Sequence, residues 1–463
     1  MEKRILLHGA QCLATMDDAR TEHKDGWVLV QGAQIIAVGS GAPLPAADDY
    51  WNLSGHVVMP GMVNTHHHMY QSLTRAVPAA QNVSLFGWLK ILYPIWAGLT
   101  PEMLRVSTRT AIVELMLSGC TTSSDHLYLF PNGCRLDDEI EAATGMGMRF
   151  HACRGAMSVG ESQGGLPPDG LVEDERTIMR DTLRLIETYH DPAPFSMLTV
   201  GGAPCSPFSV SQGLMRDMAV LARATGTRLH THLAENQHDV DYCRARFNRT
   251  PAEYAEDAGW LGADVWHAHC VKLDAPGMAR FGQTGTGVAH CPCSNMRLAS
   301  GIAPVRQMVR HGVPVGLGVD GCASNDGAHI LAEARQAMLV ARLLSAQDAS
   351  EDNPPLFDHA MVSARDTLAL TTRGGAKVLG RDDIGQIVPG KAADIVAFDL
   401  RGLGYAGAQM DPLASLVFCA PSTVAFSMIN GRVRVQDGQL CDMDMPALVA
   451  RHNQLSVALC QGG

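Results

Sequence analysis

Residues 57–68 read Val57-Val58-Met59-Pro60-Gly61-Met62-Val63-Asn64-Thr65-His66-His67-His68. The apolar opening reads as a buried strand, and the run ends in three histidines at a strand's carboxyl end. Strand alternation points His66 and His68 to one side, where two imidazoles can hold a single divalent metal, and turns His67 outward as a structural residue. The pattern of a strand ending in His or Asp recurs in Arg228-Leu-His230-Thr-His232-Leu-Ala-Glu235, in Asp264-Val-Trp-His267-Ala-His269-Cys270 and in Val313-Pro-Val-Gly-Leu-Gly-Val-Asp320-Gly321. In a (β/α)8 barrel, catalytic groups come from the carboxyl ends of several strands, so these four ends converge on one mouth. Any single one of these residues is equally well explained as a hydrogen-bonded core polar group, but the set of His66, His68, His232, His269 and Asp320 is not. His232 is the outermost of its pair and the better ligand, while His230 lies one layer deeper and reads as a core histidine.

Working outward, the chain has a barrel's rhythm. About 320 residues, 58–379, alternate buried-strand runs with amphipathic helices such as Ile178 to Tyr189 and Leu214 to Thr225. The flanks are different. Residues 1–57 carry short apolar runs separated by turns (Ile5-Leu6-Leu7, Val28-Leu29-Val30, Ile35-Ile36-Ala37-Val38), and the same texture returns in 380–463, with Asn430-Gly431 as a hairpin turn. The predicted fold is α/β, a distorted (β/α)8 TIM barrel (58–379) with a small β-sandwich formed from both termini (1–57 and 380–463). Pro446 to Cys460 has helical spacing and is expected to pack on the sheet domain or on a second subunit, which leaves a homo-oligomer open.

Composition narrows the partners. With 36 Lys+Arg against 47 Asp+Glu, the net charge is −11 and the only basic runs are pairs and triplets such as Arg244-Ala-Arg246, which disfavours nucleic acid. No apolar stretch reaches the ~18 residues of a membrane helix, and strand-like sequence follows Met1 directly, so a cytoplasmic protein acting on a small molecule is expected. Thirteen cysteines without a framework fit reduced thiols. Cys291-Pro-Cys293 lacks the spacing and the companion His-x-Glu of a cysteine-ligated deaminase, and reads as structural.

Together these residues resemble the amidohydrolase superfamily, in its aminohydrolase branch, over nearly the whole chain. Pro60 to His68 looks like that family's first metal motif. His232-Leu-Ala-Glu235, His269-Cys270, His290-Cys-Pro-Cys-Ser-Asn295 and Gly318-Val-Asp320-Gly321 resemble its later strand ends in order, and Gly385 to Asp394 resembles the return into the sheet domain. The resemblance implies one divalent ion, zinc by family habit with iron and manganese compatible, held by His66, His68, His232 and Asp320, with His269 beside the water it activates. The lysine-free stretch from Ile91 to Val271 independently argues against a carboxylated-lysine bridge between two metals. A divalent metal lowers the pKa of water toward ~7. Asp320 would then take its proton, His269 would orient the hydroxide, and Glu235 would protonate a ring nitrogen as ammonia leaves. The competing reading of Glu235 is a carboxylate placed against a helix N-terminus.

Substrate clues are fewer. Gln71, three residues past His68, offers a donor and an acceptor to a heterocycle edge. Trp88 and Tyr93 could wall a flat ring, although each is individually well explained as core. Cys205, in Ala203-Pro-Cys205-Ser, stands where adenosine-type relatives usually carry a histidine, which weakens a nucleoside reading and is compatible with a free base. It reads as pocket lining rather than a nucleophile. His66-His-His-Met-Tyr-Gln-Ser-Leu-Thr-Arg75 followed by Leu85-Phe-Gly-Trp-Leu89 looks closest to the bacterial branch containing 8-oxoguanine deaminases. The expected reaction is therefore hydrolytic deamination of an aminated purine base, 8-oxoguanine to urate. Guanine deaminase and s-triazine hydrolase of the hydroxyatrazine type are the alternatives, and a non-catalytic barrel is the rival from another class.

Overall fold

The computed structural model describes residues 2–347 and 363–462. Eight parallel strands close into a barrel: β1 (Met62–Asn64), β2 (Cys120–Leu127), β3 (Arg149–Ala156), β4 (Leu198–Pro204), β5 (Arg228–Leu233), β6 (Val265–His269), β7 (Gly287–His290) and β8 (Val315–Leu317). Nearly every residue in them is buried on both faces, the reason they read as continuous apolar or small-residue runs. The helices between them begin and end on local signals. Gln212–Thr225 starts at Ser211, whose hydroxyl accepts from Leu214 N (3.0 Å), and stops at Gly226 in the left-handed region (φ 68°).

Two sheets flank the barrel. One has four strands, all drawn from residues 4–52, and the other has seven, drawn from both ends of the chain. The termini meet where Ile395–Asp399 runs antiparallel to His56–Pro60, with Ile395 opposite Pro60 and Asp399 opposite His56. Leu7, Val28, Val30, Val58, Ile395 and Phe426 fill the space between the sheets. Asn430 (φ 50°) and Gly431 (φ 76°) make the hairpin turn expected between Phe426–Ile429 and Arg432–Gln436.

Sandwich and barrel are clamped together. Arg149, at the start of β3 and 1% exposed, gives Nε and Nη2 to the Asp394 carboxylate, both at 3.1 Å. Asp394 also accepts from Asn430 N (2.7 Å). Chain passes from sandwich to barrel at Gly61, where a Cβ would lie 2.1 Å from Thr121 Oγ1, so only glycine fits.

The last helix (Met445–Gly462) departs from one of its two expected partners, the sheet domain. Its buried residues His452, Leu455 and Leu459 pack on the helices Leu85–Trp96 and Pro101–Leu117 and on the short 3-10 segment Met69–Thr74, beside the barrel mouth, and not on the sheets. An apolar stripe joins whichever face it can bury against, and helical spacing carries no record of that partner. No helix among the described residues is long and apolar enough to cross a membrane.

Candidate active site

Barrel closure brings the predicted strand ends together. β1 and β8 pair through one contact, Asn64 with Leu317, and just above it Asp320 pairs with His67 and Gly321 with His68. Asn64 clasps this seam, donating to Ser123 Oγ (3.0 Å) and accepting from Val319 N (2.9 Å). Beyond the strands the backbone bends sharply inward. Ala234 (φ 53°), His269 (φ 71°) and Asp320 (φ 60°) all adopt the left-handed region, a conformation costing a non-glycine residue about 1 kcal/mol and retained where it aims a side chain.

The histidine hydrogen bonds fix which nitrogen of each ring is free. His230 Nδ1 faces the carbonyl of Trp266 (3.0 Å), so it must donate, which leaves His230 Nε2 to accept from His66 Nδ1 (2.7 Å). His68 Nδ1 donates to His126 O (2.7 Å) and His232 Nδ1 to Cys205 O (2.7 Å). All three rings therefore present an unprotonated Nε2. His68 Nε2 and His232 Nε2 lie 3.0 Å apart, and Asp320 Oδ1 lies 3.3 Å from His66 Nε2 and 3.4 Å from His68 Nε2. His66 Nε2 is buried with no hydrogen-bond partner. Converging lone pairs repel one another unless a cation lies between them, and three imidazoles with a carboxylate are the donor set of a divalent transition metal. Burial holds His66 and His68 below the usual imidazole range and takes His232 down to about 3, so the rings stay neutral, as ligands must be.

Asp320 stays ionised. Burial alone would raise its pKa, but the close imidazoles of His66, His269 and His68 hold it well below the usual carboxylate range. Gly321 N (2.8 Å) donates to its Oδ1 and Ser324 Oγ (3.2 Å) to its Oδ2. His269 behaves differently from the other rings: burial lowers its pKa, but Glu235 and Asp320 outweigh that and raise it. Its Nδ1 donates to Asn295 Oδ1 (2.9 Å), turning Nε2 toward Glu235 (3.6 Å) and Asp320 (3.9 Å). Glu235 is pushed up to about 7, mainly by burial and further by Asp239 and Asp320, against the opposing His269. Its backbone is held by Asp239, which accepts from Glu235 N (2.8 Å).

A cavity opens over this cluster, lined by Gln71, Trp88, Tyr93 and Cys205 together with His68, His232, Glu235, His269 and Asp320. Nine of the ten candidate site residues from the sequence thus line one cavity, and the tenth, His66, lies against Asp320 in the cluster it opens over. Trp88 and Tyr93 sit on the helix Leu85–Trp96 above the mouth, with Trp88 Nε1 donating to Ala323 O (3.1 Å). Cys205 also has a role the sequence did not reveal, since its carbonyl orients His232. Burial lifts its thiol to about 12, which suits pocket lining and not nucleophilic attack. His67 stays out of the ligand groups, as strand alternation expects, and is fully buried. His230, expected as plain core, is the hydrogen-bond partner of His66.

Sequence reasoning missed Tyr128, Phe208, Leu298 and Ser324 in the cavity wall, and His126, whose ring stacks on His232 (centroids 4.9 Å, 22°). His126 ends Thr121-Thr-Ser-Ser-Asp125, a buried polar strand with no apolar signature, although its place at a strand's carboxyl end was a usable signal. A more voluminous crevice, about 530 Å³, lies on the sandwich beside Trp51 and the Asp399–Arg401 pair, but the described residues gather metal-ligating groups only at the barrel mouth.

Known proteins agree with this geometry. Residues 57–434 match the Amidohydrolase family. An 8-oxoguanine deaminase from Pseudomonas aeruginosa is 45% identical over 94% of this chain and 95% of its own length. An isoxanthopterin deaminase from an unknown prokaryotic organism is 37% identical over 89% of this chain and 87% of its own. The crystal structure of atrazine chlorohydrolase TrzN from Arthrobacter aurescens TC1, complexed with zinc, superposes with a TM-score of 0.92 at 32% identity, covering 98% of this chain and 100% of that one. A family match across most of the barrel and a 45% identical full-length relative leave one conclusion: this chain belongs to the amidohydrolase family.

Proposed function

We propose that the protein is a metal-dependent aminohydrolase that converts 8-oxoguanine to urate and ammonia. The observation that carries this is the gathering of the His66 and His68 Nε2 lone pairs against Asp320, with His232 Nε2 3.0 Å from His68 Nε2, beside a Glu235 carboxyl whose pKa of about 7 suits proton transfer at neutral pH. His66, His68, His232 and Asp320 would hold the ion, with zinc preferred because a similar structure carries it. When bound, the ion supplies Lewis acidity, lowering the pKa of water toward ~7.

This chain's own residues account for the other steps. Asp320, ionised and not engaged by any cationic side chain beyond the histidines, accepts the water's proton. His269, anchored by Asn295, steadies negative charge developing on the attacking oxygen. Protonated Glu235 delivers its proton to the ring nitrogen flanking the amidine carbon. A C–O bond forms at that carbon, the C–NH2 bond breaks with the proton taken by Asp320 leaving in ammonia, and the remaining hydroxyl proton returns to Glu235 as the carbon becomes a carbonyl. Trp88 and Tyr93 press on the flat ring, and Gln71 reads its edge, with a buried Oε1 that has no protein partner and can accept from a ring N–H. Cys205, smaller than an imidazole, leaves no partner for a ribose and favours a free base.

We place the reacting groups in a barrel unit, 58–379, with the sheet unit of 1–57 and 380–463 as its support. The identity to an 8-oxoguanine deaminase over 94% of the chain supports the substrate. The test is ammonia release by zinc-loaded protein from 8-oxoguanine, guanine, isocytosine and hydroxyatrazine. Preferential turnover of 8-oxoguanine is expected, and preferential turnover of hydroxyatrazine or guanine would overturn the substrate assignment while leaving the metal site standing.

A further inference from the structure

The 3-10 segment Met69–Thr74 carries Gln71 into the cavity, and all six of its residues are buried. Its leading end is fixed by Asp125, whose Oδ1 accepts from Met69 N (2.7 Å). Its trailing end is fixed from the far terminus of the chain. His452 Nε2 lies 3.1 Å from Ser72 Oγ, and Ser456 Oγ donates to Leu73 O (2.6 Å). Ser72 Oγ has one proton and faces Ser107 O (3.3 Å), so a His452 protonated on Nε2 donates to the hydroxyl, which passes its own proton on. Burial, with Arg75 nearby, takes His452 down to about 4 and keeps it neutral for this role.

Gln71 has little slack with which to absorb a displaced backbone. Its carboxamide lies so close to Gly321 that a Cβ there would sit 1.8 Å from Oε1. Its own carbonyl accepts from Thr74 Oγ1 (3.1 Å), which in turn accepts from Trp96 Nε1 (3.1 Å). Any shift of Ser72 and Leu73 therefore passes straight to the carboxamide. We propose that His452 and Ser456 are positioning residues: through Ser72 and Leu73 they set where Gln71 meets the heterocycle, making the C-terminal helix a determinant of substrate affinity. This rests on Gln71 being a substrate contact.

The experiment is a double-mutant cycle on zinc-loaded full-length enzyme, reading kcat, KM and bound zinc. Its arms are His452→Ala with Ser456→Ala, Gln71→Ala, and the combination. The helix variants are expected to raise KM about tenfold, with kcat within about twofold and zinc unchanged, since a displaced contact weakens binding without touching the reacting groups. Combined with Gln71→Ala they should add nothing further, because both act through one side chain. His452→Gln, which keeps a donor for Ser72, should restore most of the affinity. A KM unmoved by the helix variants while Gln71→Ala raises it, or effects that multiply in the combination, would overturn the positioning role alone. A silent Gln71→Ala would overturn it too, and would place the fault in the reading of the cavity. If the double helix variant does not fold, Ser456→Ala and His452→Ala are judged singly by the same KM criterion.

Discussion

His230 Nε2 lies 2.7 Å from His66 Nδ1, and His230 is itself anchored on the Trp266 carbonyl. This buried relay selects the His66 tautomer whose Nε2 lone pair faces Asp320. Replacing His230 by Phe frees His66 to protonate Nε2 instead. Zinc affinity, measured by competition with a chromophoric chelator, is expected to fall about 10–100-fold, while kcat per zinc-loaded site changes far less.

Glu235 gives a prediction with two signs. Glu235→Gln removes the proton donor, and kcat is expected to drop by about 10²–10⁴-fold. Stability moves the other way. The folded-state pKa of about 7 lies above the ordinary glutamate value, so ionising Glu235 is harder in the folded chain, and the wild type loses stability as pH rises from the ordinary value through 7. Metal-free Glu235→Gln should melt higher than metal-free wild type, the gap widening between pH 5 and pH 7 and then levelling, at a plateau on the order of 3 kcal/mol. Thermal melts across that range check it.

In the wild type, activity that depends on the protonated Glu235 should decline as pH rises through about 7. The kcat/KM profile for 8-oxoguanine should show that alkaline limb, and Glu235→Gln should abolish the limb along with the rate.

Gly321→Ala introduces a methyl 1.8 Å from Gln71 Oε1. The nearest atoms to that methyl all belong to the Gln71 carboxamide and none is backbone, so the protein should fold and bind zinc, with the carboxamide forced from its place in the cavity. KM for 8-oxoguanine is expected to rise about tenfold, consistent with a lost substrate hydrogen bond of ~1.5 kcal/mol.

Arg149→Ala leaves Asp394 buried without its cation, and denaturant unfolding should show a loss of about 3–5 kcal/mol. Replacing both residues with apolar ones of similar size should recover much of that loss.

What the sequence disclosed follows from how barrels are built. His66, His68, His232, His269 and Asp320 were legible because each terminates a strand-like run, and strand ends share one mouth whatever the intervening helices do. The tautomer relay was not legible: His230 has the sequence surroundings of any core histidine, and only the approach of β5 to β1 pairs it with His66. Tyr128, Phe208, Leu298 and Ser324 come from connections without periodicity, whose paths are set by tertiary packing. The same holds for the C-terminal helix, whose pattern announced a helix while leaving its docking site open.

The seam between β1 and β8 has a consequence for how the protein matures. His66 and Asp320 stand just past the first and last strands of a closed ring, joined there by the Asn64–Leu317 pairing, the short rung of Asp320 and Gly321 on His67 and His68, and the Asn64 clasp. A nascent chain that has not yet emitted residue 320 cannot assemble the donor set, and neither can a barrel open at that edge. Acquisition of the ion then becomes a late checkpoint in biogenesis, and full metal occupancy certifies that the ring has shut.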